Sequence, residues 1–180
     1  MDAPLAKYSV FLSPSDKDFR FCESLIGKYS RTFGIPAFEP HVTVYSGTFP
    51  GPEALQEAVS RAVAGMGPLR LRVRGAGYSE EYFKALYIDL HDDQILQGIR
   101  RRIGQYLPDD SGYRLVPHLS LLYRDMPLAE KQTLAQGLLL DRDTMSFDRI
   151  SIATPGNSTE GWRDTTRWRT VWRTVLEEGK

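Results

Sequence analysis

Apolar and polar positions along this chain switch between a period of two and a period of three to four, and the switches mark out alternating strands and helices. Lys7–Leu12 (KYSVFL) reads as a strand. A Ser-Pro-Ser-Asp cluster then opens a helix over Asp16–Phe33, where Phe19, Cys22, Ile26, Tyr29 and Phe33 recur at helical spacing and Gly34 supplies the stop. His41–Ser46 (HVTVYS) is short, β-branched and bounded by Pro40 and Gly47, hence a strand. Pro52 starts a second helix running to Met66, with Leu55, Val59, Ala62, Val63 and Met66 on one face. Leu69–Val73 alternates with Arg70, Arg72 and Arg74 as a half-exposed strand does, Gly75-Ala76-Gly77 reads as a turn, and Tyr82–Leu90 is another strand.

A third helix is expected over Asp92–Leu107, with Ile95, Leu96, Ile99, Ile103 and Leu107 inward, and Pro108–Gly112 is a turn cluster. His118–Tyr123 (HLSLLY) is a short apolar strand, Pro127 opens a fourth helix to Leu140, and strands follow at Met145–Ala153 and Trp168–Leu176. Between those last two, Pro155–Asp164 (PGNSTEGWRD) is a polar loop with the composition of a lid. The resulting string is β-α-β-α-β followed by β-α-β-α-β-β. His118 stands 77 residues after His41, and shifting the first half by that amount superimposes its elements on those of the second in order and type. The expectation is one α+β domain over residues 1–180, built from two duplicated lobes of about 1–78 and 79–180 with a cleft between them.

Length agrees with a single domain: 180 residues bury an adequate core without disulfides or metals. Lys plus Arg and Asp plus Glu number 23 each, so no whole-surface field favours a long polyanion, although a local basic patch remains open. Cys22 is the one cysteine, which excludes an intramolecular disulfide and a multi-cysteine metal site. The N-terminal MDAPLAKYSV lacks the pattern of a signal peptide, and no apolar run has the roughly 20 residues needed to cross a bilayer. These features point to a reduced, soluble, cytoplasmic domain; a monomer is the expectation for its assembly, which the sequence itself does not encode.

The two matching strands read Pro40-His41-Val42-Thr43-Val44 and Pro117-His118-Leu119-Ser120-Leu121. Strand alternation puts His41 with Thr43, and His118 with Ser120, on one face, and sends the apolar residues to the other. Either tetrapeptide alone is a weak signal. Both, however, follow proline, lie in apolar strands and hold equivalent places in the repeat. Opening a phosphodiester needs a base for the attacking water and an acid for the leaving oxygen, and an imidazole with a pKa near 6.5 can be either. The hydroxyls suit the non-bridging phosphate oxygens. No carboxylate accompanies either histidine within its strand, so no metal set is read here.

Paired His-x-(Thr/Ser)-x motifs in duplicated lobes resemble the 2H phosphoesterase superfamily, and the spellings His-Val-Thr-Val and His-Leu-Ser-Leu with the trailing Tyr123 resemble its cyclic phosphodiesterase branch. The resemblance implies antiparallel sheets with helices on their outer faces, and metal-independent opening of nucleoside 2′,3′-cyclic phosphates and ADP-ribose 1″,2″-cyclic phosphate to monophosphates, without a cofactor. It makes His41 and His118 the catalytic pair, Thr43 and Ser120 the phosphate contacts, and Tyr123 and Phe83 the aromatics over base or ribose. The near-symmetry leaves the order of roles open, and His118 as base with His41 as acid is the starting assignment. The partner is then a small cyclic phosphate ester, with nucleic acid entering only as a short RNA end. The rival readings are an enzyme of RNA ends (a cyclic phosphodiesterase or a 2′–5′ ligase) and a nucleotide-binding module without turnover.

Other residues invite blander readings. His91 before Asp92-Asp93 reads as a surface histidine at a helix entrance, and Cys22 as a buried thiol. Arg70, Arg72 and Arg74, and likewise Arg100-Arg101-Arg102, read as solvated faces. Trp162-Arg163 and the run Arg167–Arg173 interleave aromatics with arginines, which suits either stacking on bases or a final strand.

Overall fold

Local chemistry sets the helix ends. In the computed structural model, which describes residues 5–107, 112–155 and 163–178, α1 (Asp16–Phe33) stops at Gly34, whose φ of 62° lets its N–H turn back to the Ser30 carbonyl. The next helix is α2 (Glu53–Val63). The Asp93 carboxylate opens α3 (Gln94–Gln105) by accepting from the Ile95 and Leu96 amides, and α4 spans Leu128–Gly137. The strands among the described residues are β1 (Ala6–Pro14), β2 (Val42–Phe49), β3 (Leu69–Gly77), β4 (Leu86–Leu90), β5 (His118–Leu122), β6 (Thr144–Thr154) and β7 (Arg169–Val175).

The protein is α+β, and every strand pairing is antiparallel. The sheet runs β1-β2-β5-β4-β3-β6-β7, and β6 also pairs with β1, which closes the first six strands into a ring. The third strand of each half of the chain lies beside the first strand of the other half: β3 pairs with β4, and β6 with β1. Where β2 meets β5 the ladder narrows to one pair, Val42 opposite Leu119. On one side of the strands Val10, Leu12, Val42, Val44, Leu119, Leu121, Ile150 and Ile152 are sealed in the core. Each such side chain contributes about 1.5–3 kcal/mol by leaving water. That burial fixes which residues appear on the opposite face. Among the described residues no helix is long and apolar enough to cross a membrane.

Three sequence expectations are corrected here. Gly75-Ala76-Gly77 is no turn: β3 continues through it against Tyr87–Asp89, with a bulge at Val73/Gly75 where Gly75 has φ 148°. A Cβ at Gly77 would meet the Tyr87 ring, so the glycine is a close-approach site. Tyr82–Lys84 forms a 3-10 turn and the strand begins only at Leu86, because donors outside any ladder hold the backbone carbonyls before it. Ile95 faces solvent at 53% exposure, since the buried face of α3 begins one residue later at Leu96. Cys22 is fully buried, and burial pushes its thiol up to about 12, an inert state.

Candidate active site

Alternation along β1 places Lys7, Ser9, Phe11 and Ser13 on one face, and these line a cleft of about 440 Å³. The same cleft is lined by His41, Thr43, Phe83, His118, Ser120 and Tyr123, so the six residues singled out in the sequence come together. Val42 and Leu119 explain how. They are paired across antiparallel strands, and each follows its histidine directly, so both imidazoles stand beside the narrow joint between β2 and β5.

The two rings are held alike. His41 Nδ1–H donates to the Glu39 carbonyl at 2.6 Å, and His118 Nδ1–H donates to the Val116 carbonyl at 2.7 Å. In each case the acceptor lies two residues upstream across a proline, Pro40 or Pro117, whose fixed φ holds the carbonyl in place. With Nδ1 committed as a donor, Nε2 is the reactive nitrogen of both rings, a base when neutral and an acid when charged. Burial drives His41 down to about 4, against the lift of its Glu39 hydrogen bond and with a further push from His118. Burial also lowers His118. There the Val116 hydrogen bond, Glu81 and Asp89 pull upward while Lys84 pushes down.

Their surroundings differ. Phe11 stacks on His41 with centroids 3.7 Å apart and planes at 24°, and the Phe38 edge approaches the same ring at 6.4 Å. Arg173 of β7 donates to both carboxylate oxygens of Glu39 (2.8 and 3.1 Å), tethering the segment that orients His41. His118 has the Tyr87 edge at 5.4 Å. Tyr123 is buried, with Phe38 flat against it at 3.9 Å and 9° and the Phe83 edge at 4.9 Å. What it offers the cleft is a hydroxyl, 3.5 Å from His41 Nε2, kept protonated because burial raises its pKa. The motif hydroxyls also differ. Ser120 Oγ donates to the Phe83 carbonyl at 2.7 Å, whereas the Thr43 hydroxyl has no protein partner among the described residues.

Sequence reasoning missed Phe11 and Phe38. Phe11 had a signal: it is an aromatic on the polar phase of a period-two strand, between Ser9 and Ser13. Phe38 had none. Of the arginine–tryptophan run, Trp168 lines the cleft 5.6 Å from Phe11, while Trp172 packs against the core. Trp162 and residues 156–162 of the expected lid lie outside the described residues. Arg70, Arg72 and Arg74 are exposed, and neither they nor His91 line the cleft. Among the described residues no group of three or more His, Cys, Asp or Glu gathers to hold a metal ion.

A family model described as the 2′-5′ RNA ligase superfamily matches residues 19–158. Solved structures share the fold at low identity. E. coli LigT, complexed with 3′-AMP, is 13% identical over 97% of this chain and 99% of its own, with a TM-score of 0.54. TT0787 of Thermus thermophilus is 12% identical over 97% and 100%, with a TM-score of 0.62. Usb1 of Kluyveromyces marxianus is 12% identical over 95% and 97%, with a TM-score of 0.52. No curated protein matches the chain.

Proposed function

The chain belongs to the 2′-5′ RNA ligase superfamily, a 2H phosphoesterase family, and within it we propose that this protein hydrolyses small cyclic phosphate esters to phosphomonoesters without a metal. Nucleoside 2′,3′-cyclic phosphates and ADP-ribose 1″,2″-cyclic phosphate are the substrates put forward. The observation that carries this reading is the pair of imidazoles, each locked through Nδ1 to a carbonyl and sharing one cleft with a motif hydroxyl.

The roles follow from charge. Burial takes His41 furthest toward its neutral form, while at His118 the Val116 hydrogen bond, Glu81 and Asp89 work against burial and the push of Lys84. A single proton on the pair therefore rests on His118, which makes His41 the base and His118 the acid, the reverse of the starting assignment. His41 Nε2 takes a proton from water as the water oxygen bonds to phosphorus. The ester P–O bond of the five-membered ring breaks, and His118 Nε2–H protonates the released oxygen. The Thr43 hydroxyl donates to a non-bridging oxygen, where negative charge builds. Ser120 joins it by turning away from the Phe83 carbonyl. The product is a phosphomonoester on a ribose hydroxyl, and LigT crystallised with a molecule of that class, 3′-AMP.

Product analysis after incubation with a panel of cyclic phosphates, with and without a chelator, tests the reading. Monophosphates should form at a rate the chelator leaves unchanged. Nucleotide binding without turnover defeats it, and so does strong inhibition by the chelator. A second reading rests on the family match: the same base can deprotonate a ribose 5′-hydroxyl in place of water, joining RNA ends through a 2′–5′ bond. An oligonucleotide with a cyclic phosphate end, offered beside the mononucleotide, separates the two.

The pH profile has a defined sign. Both folded pKa values lie below the ordinary 6.5, and kcat/KM reports the free enzyme. Its bell should therefore peak on the acid side of 6.5, falling below about 4 as His41 gains a proton and falling toward neutrality as His118 loses its own. A bound phosphate anion favours the charged ring, so the kcat profile should lie at higher pH. A rate series from pH 4 to 9 checks both limbs, and a kcat/KM that still rises above pH 7 contradicts the assignment.

A further inference from the structure

Lys131 on α4 is 1% exposed, and among the described residues it makes no ion pair. A buried ammonium without a carboxylate is costly unless each proton finds an acceptor. Its Nζ donates to three consecutive backbone carbonyls, those of Ser79 (2.9 Å), Glu80 (3.1 Å) and Glu81 (3.5 Å). The next three carbonyls are held as well. The Arg124 amide donates to Tyr82 O at 3.1 Å, Ser120 Oγ to Phe83 O at 2.7 Å, and both the amide and the hydroxyl of Ser79 to Lys84 O. Six successive carbonyls are thus pinned, half of them by one side chain. A tetrahedral ammonium suits three converging carbonyls as a planar guanidinium does not.

The pinned segment is a wall of the cleft. It carries Glu81, Phe83 and Lys84 into the cavity, and Glu81 and Lys84 are paired at 3.3 Å. His118 is faced by Glu81 and Lys84 from this wall, by Asp89 and Tyr87 from β4, and by His41 across the cleft. We propose that Lys131 is a positioning residue for the His118 half of the site: by holding carbonyls 79–81 it fixes the wall that presents Glu81, Phe83 and Lys84 to substrate and to His118. The proposal rests on the cyclic-phosphate reading of the cleft.

Lys131→Met keeps the length and apolar stem of the side chain and removes its donors. In the full chain KM for a 2′,3′-cyclic mononucleotide should rise about tenfold with kcat changed less than about twofold, because the wall binds and positions while Nε2 of each histidine is untouched. NMR titration of the imidazoles gives a readout that a merely structural lysine would not move. Lys84 acts on His118 more strongly than Glu81, so a loosened wall should shift the His118 midpoint upward and leave that of His41 in place. A lowered Tm with kinetic constants and both midpoints like wild type would overturn the proposal. If Lys131→Met does not fold, Lys131→Gln, which keeps two donors, should show smaller changes of the same sign, and their absence counts equally against it. Failure of the wild type to open cyclic phosphates defeats the proposed function instead, while the two midpoints still judge Lys131.

Discussion

Alanine at His41 or at His118 is expected to lower kcat on a 2′,3′-cyclic mononucleotide by about 10³-fold, since one positioned acid or base supplies roughly 10²–10⁴. Neither change should disturb the fold. Both rings are half-buried at the cleft, and the apolar anchors Val42 and Leu119 remain in the core beside them. The double variant should be hardly worse than either single one, because an acid and a base acting in one transition state do not contribute independently. A substrate whose leaving group is a nitrophenolate tells the two histidines apart. Such an oxygen departs without a proton, so His118→Ala should recover to within about tenfold of wild type on it, while His41→Ala stays near the 10³-fold deficit. Recovery by His41→Ala in its place would restore His118 as the base. Recovery by neither would remove proton donation from the mechanism.

Much of this site was legible because strands and helices write their own periods. The His-x-Thr and His-x-Ser faces follow from alternation alone, and the proline before each histidine, visible in the sequence, fixes the carbonyl that orients the ring. What the local pattern could not carry depends on residues distant in the chain. Gly75 and Gly77 look like a turn until Tyr87, ten residues beyond Gly77, lies over the second of them. Lys131 sits in a helix whose other charged residue, Glu130, is exposed, and nothing nearby announces that residues 79–81 will be its partners. The different supports of the two histidines are equally non-local. Arg173 lies 134 positions from Glu39, on β7, the strand that the first half of the chain lacks. A repeat therefore predicts two equivalent rings, and the extra strand makes them unequal by tethering the support of His41.

That inequality extends to the hydroxyls, and Thr43→Val should be far more damaging than Ser120→Ala. The Thr43 hydroxyl lines the cleft with no protein partner among the described residues, so its proton is available to phosphate without loss of an existing bond. Valine preserves the shape and removes the donor, and losing one donor to developing oxyanion charge costs about 10²–10³ in kcat. Ser120 starts from a 2.7 Å bond to the Phe83 carbonyl, so each hydrogen bond it makes to phosphate replaces one that holds the wall. The net contribution of such an exchange is small, and Ser120→Ala should cost about tenfold, most of it in KM, as the Phe83 carbonyl loses its donor and the wall relaxes. Thr43→Ser, which keeps the hydroxyl, should retain most activity. Steady-state constants for the three variants on one cyclic mononucleotide decide the matter: equal losses in kcat for Thr43→Val and Ser120→Ala would mean that Ser120 gives up the Phe83 carbonyl at no cost and that the two motifs are chemically equivalent after all.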